Sequence, residues 1–275
     1  DRLAQIQTSE EGRELIAQAS AAAGERSGVQ IVTMQDALVN FVEEQSTKRK
    51  FISYGFSRLD GRLYSDYGDF VVLAGRPSAG KTAMALQMAV HMGRHDKVGF
   101  YSLETSPAKL TNRIIANRAI VDFGRINRRE MTQEEWERVV RLKGEIMESD
   151  VELIPASGWS VQDILSTALQ RRHKIIFIDY LQQLTGRGKD RFEQVTRISL
   201  DLHAMAQTHG ILVVALSQLN RASTARPDAA PTLTDLRESG QIEQDADAVL
   251  ALYINEEENA PPNERCLQVL KNKEG

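Results

Sequence analysis

Eight consecutive residues, Gly75, Arg76, Pro77, Ser78, Ala79, Gly80, Lys81 and Thr82, fit the pattern G-x-x-x-x-G-K-[ST]. The spacing has a chemical reason. The glycines let the backbone wrap so that successive N–H groups point inward at phosphate oxygens, and a helix starting directly afterwards adds the positive end of its dipole. Lys81 supplies a point charge for β and γ phosphates, and Thr82 a hydroxyl ligand for Mg²⁺. The flanks agree, since VVLA reads as a strand and TAMALQMAV as a helix. These residues predict a nucleotide site.

Such a site needs an acid for the metal's water shell. Asp179 ends the apolar run KIIFID, placing a carboxylate at the C-terminal edge of a buried strand, where ligands of open α/β sheets bind. Hydrolysis also needs a base to orient water. Glu104 closes KVGFYSLE and would reach the same edge; its other reading is a first-turn acid for the helix starting near Pro107. Gln218, just past ILVVALS, either senses the γ-phosphate or merely ends a strand. Three polar groups ending three strands around one phosphate loop make a nucleotide-hydrolysis constellation.

The elements that must carry these residues are legible from residue 51 onward. Apolar runs at 69–74, 97–103, 174–179, 211–217, 248–254 and 265–271 alternate with helical patterns at 80–93, 106–120, 132–148, 160–172 and 190–209. The first five runs are continuously apolar, as expected of parallel strands buried on both faces. Thr132 with Glu135 reads as a capping box. The fold class expected is α/β, a phosphate-loop NTPase with a mainly parallel sheet flanked by helices. Before it, residues 8–24 and 33–45 read as two amphipathic helices, the second capped by Thr33 and Asp36, and 46–50 as a linker. The division expected is 1–50 and 51–275. Residues 222–233 are rich in loop-forming types.

Composition limits the alternatives. Apolar residues make up 41% of the 275 and charged residues 26%, proportions of a soluble globular chain. No apolar run approaches the roughly 20 residues that span a bilayer, and DRLAQIQTSE has no secretory character, so no membrane partner and a cytoplasmic location are expected. The single cysteine, Cys266, excludes a disulfide or a thiolate cluster within one chain and reads as a small strand residue. A net charge of −4, from 34 basic and 38 acidic residues, confines any phosphate-backbone contact to a local loop or channel face.

One stretch stands apart. TDLRESGQIEQDADAVLALYI (234–254) holds Asp235, Arg237, Glu238, Glu243, Asp245 and Asp247, then turns apolar from Ala248. With GFSRLDG (55–61), YSLET (101–105), IFIDYLQQL (176–184) and VVALSQLNR (213–221), it resembles the hexameric replicative DNA helicases of the bacterial DnaB type, whose motor domains are RecA-like. The resemblance covers about 55–275.

It implies ATP and Mg²⁺ as cofactors and assigns Lys81 and Thr82 to phosphate and metal. Glu104 becomes the catalytic base, Asp179 the metal-associated acid, Gln218 the γ-phosphate sensor and Arg221 a further nucleotide-binding residue. The loop Arg237, Glu238, Ser239, Gly240 would face a central channel and hold single-stranded DNA, partly through backbone amides, which attract phosphate without a basic loop. Glu243, Asp245 and Asp247 would then fix that loop and its strand. Arg187, Lys189 and Arg191 offer a second DNA contact or a solvated turn. ATP sites of such rings lie between subunits of a homo-hexamer, where Lys271 and Lys273 stand at the family's Lys-x-Arg finger. Lysine lacks the planar fork of arginine. Thr105 stands where Met is common.

The resemblance further implies a primase and a helicase loader as partners, and makes 8–24 a linker helix docking on a neighbouring subunit. The chain has no initiator Met and ends at Gly275; a fragment and a phage or plasmid variant are both open. Two other readings stand beside the helicase: a recombinase-like filament whose grip on DNA is switched by ATP, and a catalytically silent nucleotide-binding fragment.

Overall fold

In the computed structural model, which describes residues 32–45, 49–219, 230–255, 261 and 264–274, seven strands form one sheet. They are β1 (Phe70–Gly75), β2 (Val98–Ser102), β3 (Val151–Pro155), β4 (Ile175–Asp179), β5 (Leu212–Gln218), β6 (Ala248–Ile254) and β7 (Arg265–Asn272), in the order β3-β2-β4-β5-β1-β6-β7. All pairings are parallel except the last, in which β7 runs antiparallel to β6.

The continuous apolar runs are explained by burial on both faces. Successive strand residues point to opposite sides, so Phe70, Val72 and Ala74 join one core while Val71 and Leu73 join the other. The first face is covered by Val161–Arg171 and Arg191–His209, through Ile164, Ile198 and Leu202. The second is covered by Lys81–Met92 and Pro107–Ala119, through Leu86, Met88 and Leu110.

Three elements differ from the sequence pattern. β3 interrupts its apolar alternation with Glu152 and is only partly buried at the sheet edge, so it carries no continuous apolar signal. The helix expected over 132–148 is two helices, Gln133–Arg141 and Lys143–Met147, parted at Leu142, with helix-weakening Gly144 just beyond. A short helix, Phe123–Arg128, is capped by Asp122, whose carboxylate accepts from the Arg125 amide at 2.9 Å. The Thr132–Glu135 capping box is present.

Contacts divide the chain into Asp1–Lys50 and Phe51–Gly275. In the first unit, the helix Met34–Gln45 begins after Thr33, whose hydroxyl accepts from the Asp36 amide at 3.1 Å. Met34, Leu38, Phe41 and Val42 are exposed on it. The helix expected at 8–24 lies outside the described residues. Among the described residues, no helix is long and apolar enough to cross a membrane.

Candidate functional site

Strand register gathers the predicted residues. Gly75, the last residue of β1, pairs with Gln218 of β5 on one side and Leu252 of β6 on the other. Ser102 of β2 pairs with Asp179 of β4. Because these strands are parallel, Gly75, Asp179 and Gln218, with Glu104 two residues beyond β2, emerge at one edge of the sheet.

From Gly75 the backbone turns into the helix Lys81–Met92. A Cβ at Gly75 would stand 2.6 Å from the Leu252 carbonyl oxygen, so close packing against β6 demands glycine there. Gly80 has φ 102°, a conformation L side chains rarely adopt. Pro77 and Ser78 form the exposed tip, and Ala79 is buried beneath it. The Ala79 amide donates to the Arg76 carbonyl at 3.2 Å.

Lys81 lies buried across the loop, its Nζ donating to the carbonyls of Gly75 at 2.8 Å and Arg76 at 3.0 Å. Burial pulls its pKa down to about 8, against the opposing pull of the Asp179 charge. The Thr82 hydroxyl donates to Asp179 Oδ2 at 2.8 Å. Burial pushes the Asp179 pKa up; the Thr82 hydrogen bond and the charges of Arg113 and Lys81 oppose this, and Glu104 adds to it.

This donor set suits Mg²⁺ on a nucleotide. Mg²⁺ takes one or two carboxylates, phosphate oxygens and waters rather than an all-protein cage. Thr82 and Asp179 supply adjacent hard oxygens, and no cluster of three His, Cys, Asp or Glu that could hold a metal exists among the described residues.

Glu104 is exposed. The helix after it is capped by Ser106 and starts at Pro107, so Glu104 stands outside the first turn and does not cap it. The Leu103 amide donates to the Asp179 carbonyl at 2.9 Å, tying the exits of β2 and β4 together. Gln218 is partly buried and held by Gln182, a residue that the sequence pattern did not single out. Arg113, whose charge reaches Asp179, was also missed; its guanidinium carbon lies 6.0 Å from the Phe123 ring centroid. Arg221 lies outside the described residues.

The acidic stretch resolves into scaffold and surface. Leu233–Ser239 is a 3-10 helix opened by Thr232, whose amide donates to Asp235 Oδ2 at 2.8 Å. Gly240–Asp245 follows as an α-helix, with Leu236 and Ile242 buried. Asp245 accepts from the Ser199 hydroxyl at 2.7 Å and the Gln241 side-chain amide at 2.6 Å. Asp247 accepts from the Phe70 amide at 2.9 Å and from Lys273 Nζ at 2.9 Å. Asp245 and Asp247 thus fix the loop and its strand, as expected. Arg237, Glu238 and Ser239 lie in the last turn of the 3-10 helix, and around Gly240 a side chain would meet open space.

The candidate finger residues are occupied within their own chain. Lys271 Nζ donates to the carbonyls of Glu243 at 2.7 Å and Gln244 at 3.0 Å, at the end of the Gly240–Asp245 helix, and Lys273 pairs with Asp247. Of the basic triplet after β4, Arg191 turns inward to the Gln182 carbonyl, while Arg187 and Lys189 are exposed. The Lys189 amide donates to Glu193 at 2.8 Å.

Residues 52–275 match the family model of the DnaB-like helicase C terminal domain. The replicative DNA helicase DnaB of Rickettsia typhi is 36% identical over 224 residues, covering 74% of this chain and 45% of that protein. A probable plasmid replicative DNA helicase of Chlamydia trachomatis is 35% identical over 243 residues, covering 86% of this chain and 53% of that protein. The chain therefore spans about half the length of these curated relatives. Among solved structures, an isolated ATPase domain matches with a TM-score of 0.82 at 35% identity, over 90% of this chain and 93% of that one. A structure of a DnaB-like replicative helicase and its interactions with primase matches with a TM-score of 0.82 at 34% identity, over 94% and 66% of the two chains.

Proposed function

Since the chain belongs to the DnaB-like helicase C-terminal domain family, we propose that it is the motor of an ATP-dependent DNA helicase. It works as a homo-hexamer, hydrolyses ATP between subunits, and moves on single-stranded DNA to unwind duplex at replication forks. The observation that carries this reading is the Thr82–Asp179 contact beneath a phosphate loop, with Glu104 and Gln218 on the same sheet edge.

In this reading the amides of Gly75–Thr82 wrap the phosphates, and Lys81 exchanges its two carbonyl partners for β- and γ-phosphate oxygens. Thr82 and Asp179 hold Mg²⁺, which supplies charge neutralisation at the transferring phosphoryl group. Glu104, free of helix capping, orients the attacking water and accepts its proton. Gln218 reads the γ-phosphate. Arg221 adds a nucleotide contact. A neighbour's Lys271 or Lys273 acts as the finger only after leaving the carbonyl and carboxylate partners it has in its own chain.

The DNA-facing residues proposed are Arg237, Glu238, Ser239 and Gly240, with Arg187 and Lys189 adding charge from the loop after β4. Arg191, bonded to the Gln182 carbonyl, acts by shaping that loop. The domain division proposed is a helical linker region over 1–50 and the motor over 51–275. By analogy with the structure describing a helicase's interactions with primase, a primase is proposed as a partner; a helicase loader and a cytoplasmic location complete the assignment.

The test is ATPase activity against protein concentration, with and without single-stranded DNA, for the native chain, Lys81→Ala and Arg237→Ala. Lys81→Ala is expected to lose hydrolysis. Arg237→Ala is expected to keep basal turnover and lose stimulation by DNA. An ATPase indifferent to DNA, with no strand separation, overturns the helicase reading; rings rather than filaments in negative stain separate it from a recombinase.

A further inference from the structure

At one end of β7, Arg265 Nε donates to the carbonyl of Ala79 at 3.0 Å, joining the sheet's antiparallel strand to the tip of the phosphate loop. Arg265 occupies the terminal pair of that ladder, opposite Ile254, and Nε would lie 3.9 Å from a Cβ placed on Gly80. The far end of β7 is pinned by Lys271 and Lys273. Arg265 therefore projects from a strand held along its length.

The peptide it grips is one that can turn over. Rotating the Ala79–Gly80 peptide changes ψ of Ala79 and φ of Gly80, and glycine accepts φ of either sign at little cost. In a trans peptide the carbonyl and the next N–H point in opposite directions. Holding the Ala79 oxygen toward β7 turns the Gly80 N–H away from β7, into the loop. A charged donor on the carbonyl also polarises the peptide and strengthens that N–H as a donor.

We propose that Arg265 is a positioning residue for the nucleotide's phosphates, fixing the Ala79–Gly80 peptide so that the Gly80 amide faces them. The proposal rests on the nucleotide-site reading above. It assigns to β7 a role inside its own subunit, separate from a finger reaching into a neighbour's site.

The experiment measures MgADP binding by calorimetry, KM and kcat for ATP, and melting temperature. It uses the full chain and the variants Arg265→Ala, Arg265→Lys and Lys81→Ala. Arg265→Ala is expected to weaken ADP about tenfold and raise the KM for ATP by a similar factor, with kcat and melting temperature near native, as for loss of one charge-assisted hydrogen bond. Arg265→Lys, still a cationic donor, recovers most of the loss. ADP affinity of Arg265→Ala within twofold of native, or no recovery in Arg265→Lys, overturns the proposal. If Arg265→Ala lacks a native melting transition, Arg265→Gln is read in its place against the same two outcomes. The two readings fail differently. Native chain and Lys81→Ala binding ADP alike removes the nucleotide site itself, whereas a normal Lys81 effect with an indifferent Arg265 removes only the tether.

Discussion

The side-chain amide of Gln182 brackets the backbone of Gln218. Its Oε1 accepts from the Gln218 amide at 3.3 Å, and its Nε2 donates to the Gln218 carbonyl at 3.3 Å and to the Ser217 hydroxyl at 2.9 Å. Gln182 is buried, and its own carbonyl is gripped by Arg191. The end of β5, where the proposed γ-phosphate sensor sits, is thereby fastened to the chain leaving β4 and to the first residue of the long helix Arg191–His209.

Removing the bracket should be felt in two ways. Gln182→Leu keeps the volume but leaves Ser217 and both backbone groups of Gln218 short of partners, at a cost of about 1–3 kcal/mol. Because the same residue orients Gln218, DNA stimulation of ATP hydrolysis should fall more than basal turnover. Urea unfolding with parallel ATPase assays checks both. An unchanged midpoint with normal stimulation would mean that the bracket contributes nothing.

Lys81 gives a prediction in pH. Its folded pKa, about 8, lies below the ordinary 10.5, so between those values the unfolded chain binds more protons than the folded one and stability rises with pH. Below about pH 8 both states are protonated and the full cost of burying the ammonium is present. Lys81→Met should therefore be more stable than native at pH 7, by on the order of 1–3 kcal/mol, with the gain shrinking through pH 8 to 10.5. It should also lose hydrolysis. Denaturant melts at pH 7 and pH 10 are the measurement; a pH-independent gain would assign the effect to packing.

The site's legibility followed the physics of each part. Gly75–Thr82 and Asp179 were readable because local chain chemistry dictates them: a phosphate loop needs its spacing, and a buried strand ending in Asp needs few other signals. Gln182, Arg113 and Arg265 were not, because each acts across a packing contact that no local period encodes. Gln182 reaches a strand 36 residues away, and Arg265 reaches a loop 186 residues away. The sheet was read through its buried parallel strands, whereas β3 was hidden by Glu152, a residue placed there for an ion cluster rather than for the core. Lys271 and Lys273 matched a family position, yet only three-dimensional contacts reveal what they hold in their own chain.

That ion cluster predicts acid sensitivity. Glu152 accepts from Arg171, from Lys97 at 2.9 Å and from His173 Nε2 at 3.0 Å. These hydrogen bonds, Arg171 first, hold its carboxyl well below the usual carboxylate range despite the opposing effect of burial. A depressed folded pKa stabilises above the unfolded value of 4.5 and is lost as pH falls below it. Glu152→Gln should cost about 1–2 kcal/mol at pH 7, after allowing for partial exposure, and its deficit should close between pH 4.5 and pH 3. His173 stays neutral, since burial lowers its pKa more than Glu152 raises it. Unfolding midpoints at pH 7, 5 and 3.5 decide this; a deficit that persists at pH 3.5 would point to packing instead of charge.

Asp245 tests whether the acidic stretch supports the proposed DNA loop or merely lies beside it. Its carboxylate is buried and accepts from Ser199 on the long helix and from Gln241 within the Gly240–Asp245 helix. Those two bonds fix the helix that begins immediately after Arg237, Glu238 and Ser239. Asp245→Ala strands the Ser199 hydroxyl and the Gln241 amide, which should cost about 1–3 kcal/mol. Asp245→Asn, still able to accept from the rotatable hydroxyl, should cost less than half as much. If the helix positions the loop, Asp245→Ala also weakens single-stranded DNA stimulation severalfold at temperatures where the protein remains folded. Glu137→Ala, a change on the exposed face of Gln133–Arg141, leaves stimulation intact. Normal stimulation in folded Asp245→Ala would separate the acidic scaffold from DNA binding and leave its role as stability alone.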